Sequence, residues 1–204
     1  MGTFTLPSSR LAEILFGGGW CTMDEEQLVE RLRTTAPSCL RGFKVTPAQL
    51  PEPFDDNPCS VWQVACRCSS TNGRFLGSPL KDYNTEYDGP ECFLSPSAFE
   101  CAACKTVTEL LDTDRHGYHA EIARREGDEG GSAKLRGEGP RNMFACPGCS
   151  GKLFGVTVGF VFWNPDELAE EFNSEWEDLY SVFLCHCKCA GCGQTSQPTD
   201  FGKL

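Results

Sequence analysis

Strand-like patterning fills two separate stretches of the chain. Val61-Trp-Gln-Val-Ala65 alternates apolar and polar positions, and after the turn residues Ser69 to Gly73 a second strand, Arg74-Phe-Leu-Gly77, is predicted. A further strand candidate leads into Phe99, and Thr106-Val-Thr-Glu-Leu-Leu111 continues the series. The longest apolar run, Leu153 to Trp163, and the strand-like run Tyr180 to Lys188 predict a hairpin in which the chain goes out and returns.

Helical spacing occurs elsewhere. Leu28, Val29 and Leu32 share one face behind two overlapping N-cap boxes, Thr22 to Glu25 and Asp24 to Gln27. Leu11, Ile14, Leu15 and Phe16 suggest an earlier helix ended by Gly17-Gly18-Gly19. Asn164-Pro-Asp-Glu167 combines an N-cap, a proline at the first helical position and carboxylates at the positive end of a helix dipole. Leu168, Phe172, Trp176 and Leu179 follow on one stripe, with Glu167, Glu170, Glu171, Glu175, Glu177 and Asp178 mainly on other faces. The proline-rich stretch from Pro51 to Pro58 marks a boundary, and Arg124 to Arg141, rich in Gly and mixed charge, predicts a linker or long loop.

Cysteines add the chemistry. Cys146-Pro-Gly-Cys149 and Cys189-Ala-Gly-Cys192 are C-x-x-C pairs at the two ends of the predicted hairpin, which brings four thiolates to one point. An earlier set, Cys66-Arg-Cys68 and Cys101-Ala-Ala-Cys104, has the same order of strand, knuckle and strand. The two stretches form a loose internal repeat, with Cys68-Ser69 echoed by Cys149-Ser150 and Asp112 by Asp200. The repeat predicts one site from Cys66, Cys68, Cys101 and Cys104, and another from Cys146, Cys149, Cys189 and Cys192. A crossed site using Cys101, Cys104, Cys146 and Cys149 competes, and Cys185 and Cys187, on the same strand face as Cys189, are alternate ligands. Four thiolates in a tetrahedron suit Zn²⁺, so two structural zinc ions are expected. Cys21 and Cys39 stand alone and are expected as buried thiols.

These knuckles resemble the zinc-ribbon family, and more narrowly bacterial proteins that carry paired C-x-x-C knuckles. The resemblance spans residues ~60 to 200. It implies antiparallel ribbons around structural zinc, and its members serve transcription, RNA and adaptor roles, so it leaves function open. Cys146-Pro-Gly-Cys149 also has the spacing of a thioredoxin-type redox pair, but Lys152-Leu-Phe-Gly-Val-Thr-Val continues as a strand where that motif needs a helix.

A second cluster, Asp112-Thr-Asp114-Arg-His116-Gly-Tyr-His119-Ala-Glu121, holds two of the three histidines. His, Asp and Glu at this density are the residues with which a catalytic metal activates water, and the cluster faintly resembles the histidine-metal nucleases. It departs from them because its histidines are three apart and no full motif follows. A polar turn, with Gly117 allowing the bend and His116 and Tyr118 making local hydrogen bonds, is the favoured reading.

Charge and composition then narrow the class. The chain has 204 residues, fourteen cysteines and a formal charge of −11, which works against binding a phosphate backbone and favours a protein partner, a basic one included. No basic stretch followed by an apolar one opens the sequence, and no apolar run approaches the ~20 residues needed to cross a bilayer. A reducing cytoplasmic location is therefore expected, where cysteine pairs hold metal more often than they form disulfides.

Together these signals predict an α+β protein. Residues 1–52 form a helical N-terminal region, 53–123 a first small antiparallel zinc ribbon, and 124–141 a linker or loop. Residues 142–204 form a second ribbon carrying an acidic helical insertion over 164–179. The expected function is a non-catalytic zinc-binding interaction or adaptor module. A nucleic-acid-binding ribbon and a metal-dependent hydrolase built on Asp112 to Glu121 are the alternatives.

Overall fold

The computed structural model describes residues 25–50, 58–126, 136–162 and 176–201. Its strands are β1 (Lys44–Pro47), β2 (Cys59–Ala65), β3 (Asn72–Pro79), β4 (Phe93–Cys101), β5 (Val107–Leu111), β6 (Asn142–Met143), β7 (Phe154–Phe162), β8 (Tyr180–Cys189) and β9 (Thr195–Phe201). Two helices, α1 (Glu25–Thr34) and α2 (Tyr118–Glu126), accompany them. All nine strands belong to one sheet, and every ladder between them is antiparallel.

Strand β7 is the spine. Phe154, Val156, Val158, Phe160 and Phe162 alternate along it and are all fully or almost fully buried, while Gly155 and Thr157 between them are half-buried. One edge of β7 pairs with β8 along its whole length. The other edge pairs first with β2, from Cys59↔Val161 to Val64↔Val156, and then with β3 at Asn72↔Gly155 and Gly73↔Phe154. Strands β2 and β3 thus form one line interrupted at 66–71. Because β6 also pairs with β3, at Leu76↔Met143 and Gly77↔Asn142, β6 and β7 form a second line interrupted at 144–153.

The sheet therefore has two halves. One contains β1, β2, β7, β8 and β9; the other contains β6, β3, β4 and β5; the β3–β7 pairing joins them. Curling brings β9 against β4 and encloses a single core that runs from Leu32 of α1 to Cys189. Aromatic rings dominate its centre: Phe160 meets Tyr180 at 4.6 Å and Phe183 at 5.5 Å between centroids, and Phe144 meets Phe154 at 5.1 Å.

The α+β expectation is overturned. The predicted strands at 61–65, 74–77, 106–111 and 180–188 are present, as is the run from 153 as far as it is described, at Phe154–Phe162, but the two ribbons are not separate: β2 of the first pairs with β7 of the second. The reason is burial. A strand whose side chains lie this deep in the core needs its backbone N–H and C=O groups paired on both edges, and its own hairpin partner β8 fills only one of them. Within the N-terminal region the described part holds α1, a short 3-10 turn at Ser38–Gly42 and strand β1. The predicted helix at 11–16 lies outside the described residues. So does most of the acidic insertion; its described end is a 3-10 turn, Trp176–Asp178. There Glu177 pairs with Arg31 at 3.3 Å, and Asp178 accepts the Ser38 backbone N–H at 2.6 Å, so these two carboxylates fasten α1 and its following turn to the sheet.

Truncating the aromatic centre tests this packing. Phe160→Ala is expected to cost ~3–5 kcal/mol in chemical denaturation, because a ring with no exposure leaves a cavity. Val107→Ala, at a residue 52% exposed, should stay within ~0.5 kcal/mol.

Candidate metal centres

Each interruption of the sheet carries a knuckle. The β2–β3 line leaves the sheet at Cys66 and Cys68, while β4 ends at Cys101 and turns through Cys104 into β5. In the second half, the β6–β7 line leaves at Cys146 and Cys149, and β8 ends at Cys189 and turns through Cys192 into β9. The two quartets are built alike down to the backbone. Cys66 N–H bonds Ser70 O and Cys146 N–H bonds Gly151 O; Cys101 N–H bonds Thr106 O and Cys189 N–H bonds Gln194 O; Ala102 N–H bonds Asn72 O and Ala190 N–H bonds Leu153 O. The residue after the second cysteine, Ser69 or Ser150, has φ of 73° or 58°, and the residue after the fourth, Lys105 or Gly193, has φ of 62° or 76°. Such left-handed backbone is rare outside glycine, and its recurrence at four equivalent places marks a constrained turn.

In each quartet the four sulfurs lie within 4.8 Å of one another. Four of the pairs, Cys66 with Cys104, Cys68 with Cys101, Cys146 with Cys192 and Cys149 with Cys189, are each 3.5 Å apart. A tetrahedron with metal to sulfur bonds of ~2.3 Å has edges of ~3.8 Å, so the donors fit a four-thiolate ion. No cysteine among the described residues is joined in a disulfide. The crossed quartet of Cys101, Cys104, Cys146 and Cys149 is not formed. Cys185 and Cys187 lie fully buried on β8, outside both quartets, and burial holds the Cys187 thiol well up. Cys39 is a buried thiol, as expected; desolvation pushes it up to about 12 although the Tyr180 hydroxyl reaches its sulfur at 3.5 Å. Cys21 lies outside the described residues.

The sulfurs are not equivalent before metal binds. The Thr106 hydroxyl, 3.3 Å from Cys104 Sγ, and the Thr106 backbone N–H pull that thiol down to about 6. Backbone N–H groups of Cys192 and Gly191 do the same for Cys189, also to about 6. For Cys66 the Cys68 amide pulls down, but desolvation and the neighbouring sulfurs outweigh it and raise the thiol to about 12. Cys149 is opposed in the same way: the Gly151 amide lowers it, Cys189 and Cys192 raise it, and it too ends at about 12. One thiolate and one firmly protonated thiol in each quartet are what crowding four negative sulfurs together produces. A divalent cation removes the conflict.

The second cluster is differently organised. Asp112 is buried: burial alone would raise its carboxyl, but the Asp114 amide, Arg115 and Arg136 hold it below the usual carboxylate range. Arg115 Nε reaches it at 3.0 Å, and Arg136, which also pairs with Asp114 at 2.7 Å, bonds its other oxygen. His116 Nδ1 accepts the Asp112 backbone N–H at 3.0 Å, and burial lowers its pKa, so the ring is held neutral. His119 packs edge-on to Tyr118, and Glu121 pairs with Arg124. Gly117 has φ of 94° in the bend. Among the described residues only the two cysteine quartets bring three or more potential metal ligands within 4.8 Å. Arg136 was not anticipated by the sequence, since it stands in a stretch that reads as linker. Thr106 was visible only as a strand residue; its position two after a ligand cysteine was the available signal.

Two outcomes follow. Loading Zn²⁺ at pH 7.5 should release fewer than four protons per ion, because one thiol in each quartet already ionises near 6, and apparent affinity should fall as pH falls. Calorimetry in buffers of different ionisation enthalpy measures this. For Asp112, whose folded pKa is depressed, the stabilisation is present at neutral pH and lost as pH falls through the folded value. Asp112→Asn should accordingly cost ~1–3 kcal/mol at pH 7 and progressively less in acid, in denaturation followed against pH. No family model, curated protein or solved structure matches the chain.

Proposed function

We propose that this chain is a non-catalytic zinc-binding protein whose two structural ions hold a curled antiparallel sheet, and that the sheet serves as a protein-interaction module. The observation that carries the reading is the closed donor set. Four cysteine sulfurs at tetrahedral spacing occupy every position of a Zn²⁺ coordination sphere, leaving none for water or substrate, which is the arrangement of structural zinc. Backbone N–H groups aimed at the sulfurs support it, because they stabilise thiolates without adding charge.

Protein rather than nucleic acid is the partner that the charge favours. At −11 before metal is counted, the chain repels phosphate, and a tetrathiolate centre around a divalent cation adds negative charge. No helix among the described residues is long and apolar enough to cross a membrane. The Asp112 to Glu121 segment supports the same reading as a polar clasp, its carboxylates occupied by Arg115, Arg124 and Arg136.

Elemental analysis of the reduced, purified chain should find two zinc ions per molecule; fewer than about one would sink the proposal. Structural zinc contributes ~10–16 kcal/mol per site, comparable to the ~5–15 kcal/mol stability of a whole domain. A strong chelator should therefore collapse the near-ultraviolet circular dichroism of the aromatic core. The double variant His116→Ala, His119→Ala should keep both ions.

A further inference from the structure

The two quartets clamp the same seam. Cys66 and Cys68 follow β2, which lies on β7 in one half of the sheet, whereas Cys101 and Cys104 end β4 in the other half. Cys146 and Cys149 follow β6, which lies on β3, whereas Cys189 and Cys192 end β8 on the far side. Each ion would therefore tie a strand of one half to a strand of the other. Between them the direct ladder is short: Asn72↔Gly155 and Gly73↔Phe154 are the residue pairs that join β3 to β7. Those four residues directly follow the two knuckles, so the register of the seam is set by both quartets together.

Resting on the zinc reading above, we infer that the two sites take up zinc cooperatively, and that the seam closes as a steep function of free zinc. The first ion must order both halves against each other as well as its own ligands. The second ion finds its four cysteines already assembled, because its ligand strands belong to the same two halves. Its binding carries less of the ordering cost, which is positive coupling in thermodynamic terms. Repulsion between the two negative centres opposes this weakly. Cys101, Gly73, Phe154 and Cys189 stand side by side on four adjacent strands, which places the quartets ~14 Å apart, beyond the screening length of ~8–10 Å.

The test is a titration of the metal-free, reduced full-length chain with chelator-buffered Zn²⁺, counted by native mass spectrometry. Two independent, equal sites leave about half of the molecules with one ion at half-loading, and unequal independent sites leave more. With tenfold coupling the one-zinc species should stay below about a quarter, the apo and two-zinc forms dominating throughout. A one-zinc population below half requires positive coupling, whereas half or more, together with an unchanged affinity of the second quartet in the variant below, overturns the inference. In a second measurement, Cys104→Ser should weaken zinc at the Cys146 quartet by ~tenfold in competition with the chelator; an unchanged affinity there overturns it as well. A chain that binds no zinc at all would instead overturn the zinc reading beneath it, a result distinct from two ions bound independently.

Discussion

The seam between the two half-sheets is the constraint on which the rest of the molecule depends. Each half is well paired within itself, β7 with β8 and β2 on one side and β3 with β4 on the other. Across the seam, β3 and β7 share only a short ladder, and two long strand lines break just where they would have reinforced it. A break in a strand exposes backbone donors and acceptors that must find partners. Here the knuckles supply them: Cys66, Cys101, Cys146 and Cys189 each use their own N–H to close a turn, and further N–H groups point at sulfur. Metal held at these breaks would therefore replace ladder hydrogen bonds with coordination bonds at the weakest line of the sheet.

The same relation explains the repeat. Strand, knuckle, two strands, knuckle and strand occur twice, and the first strand of each copy pairs with the second strand of the other, β2 with β7 and β6 with β3. An antiparallel β3–β7 pair between the copies is self-complementary in the manner of a two-fold interface. The copies are unequal in how much of this they use. β2 pairs with β7 over six residues, whereas β6 has only two residues on β3, with Ser95 bridging Arg136 and the Asp112 clasp holding the chain just before it. Ion pairs stand there in place of a longer ladder.

Much of this was legible in the sequence, for a local reason. Alternation and apolar runs mark strands because side chains point to opposite faces every second residue, so Val61 to Ala65 and Leu153 to Trp163 declared themselves. Cysteine spacing with a repeat offset gave both quartets, since Cys101 and Cys189 stand at matching places relative to Asp112 and Asp200. Which strands meet was not legible. The alternation of Trp62 and Val64 is satisfied equally by pairing with the following strand or with one almost a hundred residues away, and only the unmet edge of β7 decides. The α+β expectation failed for the same cause. Cap boxes and helical spacing are short-range signals, so a few polar segments weighed as heavily as a sheet whose extent depends on long-range pairing.

Charge placement ties the metal centres to the choice of partner. No Asp or Glu occurs in residues 58–81, 101–108, 142–162 or 180–199, the segments that hold both quartets and most of the sheet. The acidity of the chain therefore lies outside them. Within them, Arg67 and Lys105 accompany the first quartet, Lys152 and Lys188 the second, and Lys105 Nζ bonds Ala102 O across its knuckle at 2.7 Å. Taken alone these cations would suggest a phosphate-binding face. Four thiolates around one divalent ion would themselves be anionic, however, and the cations nearby are already engaged, Arg67 with the Arg41 and Gly42 carbonyls and Lys44 with Ser69 Oγ at 2.7 Å, so a loaded quartet would work against a phosphate backbone. On the zinc reading proposed above, the charge of this face would then depend on the same ions that would close the seam.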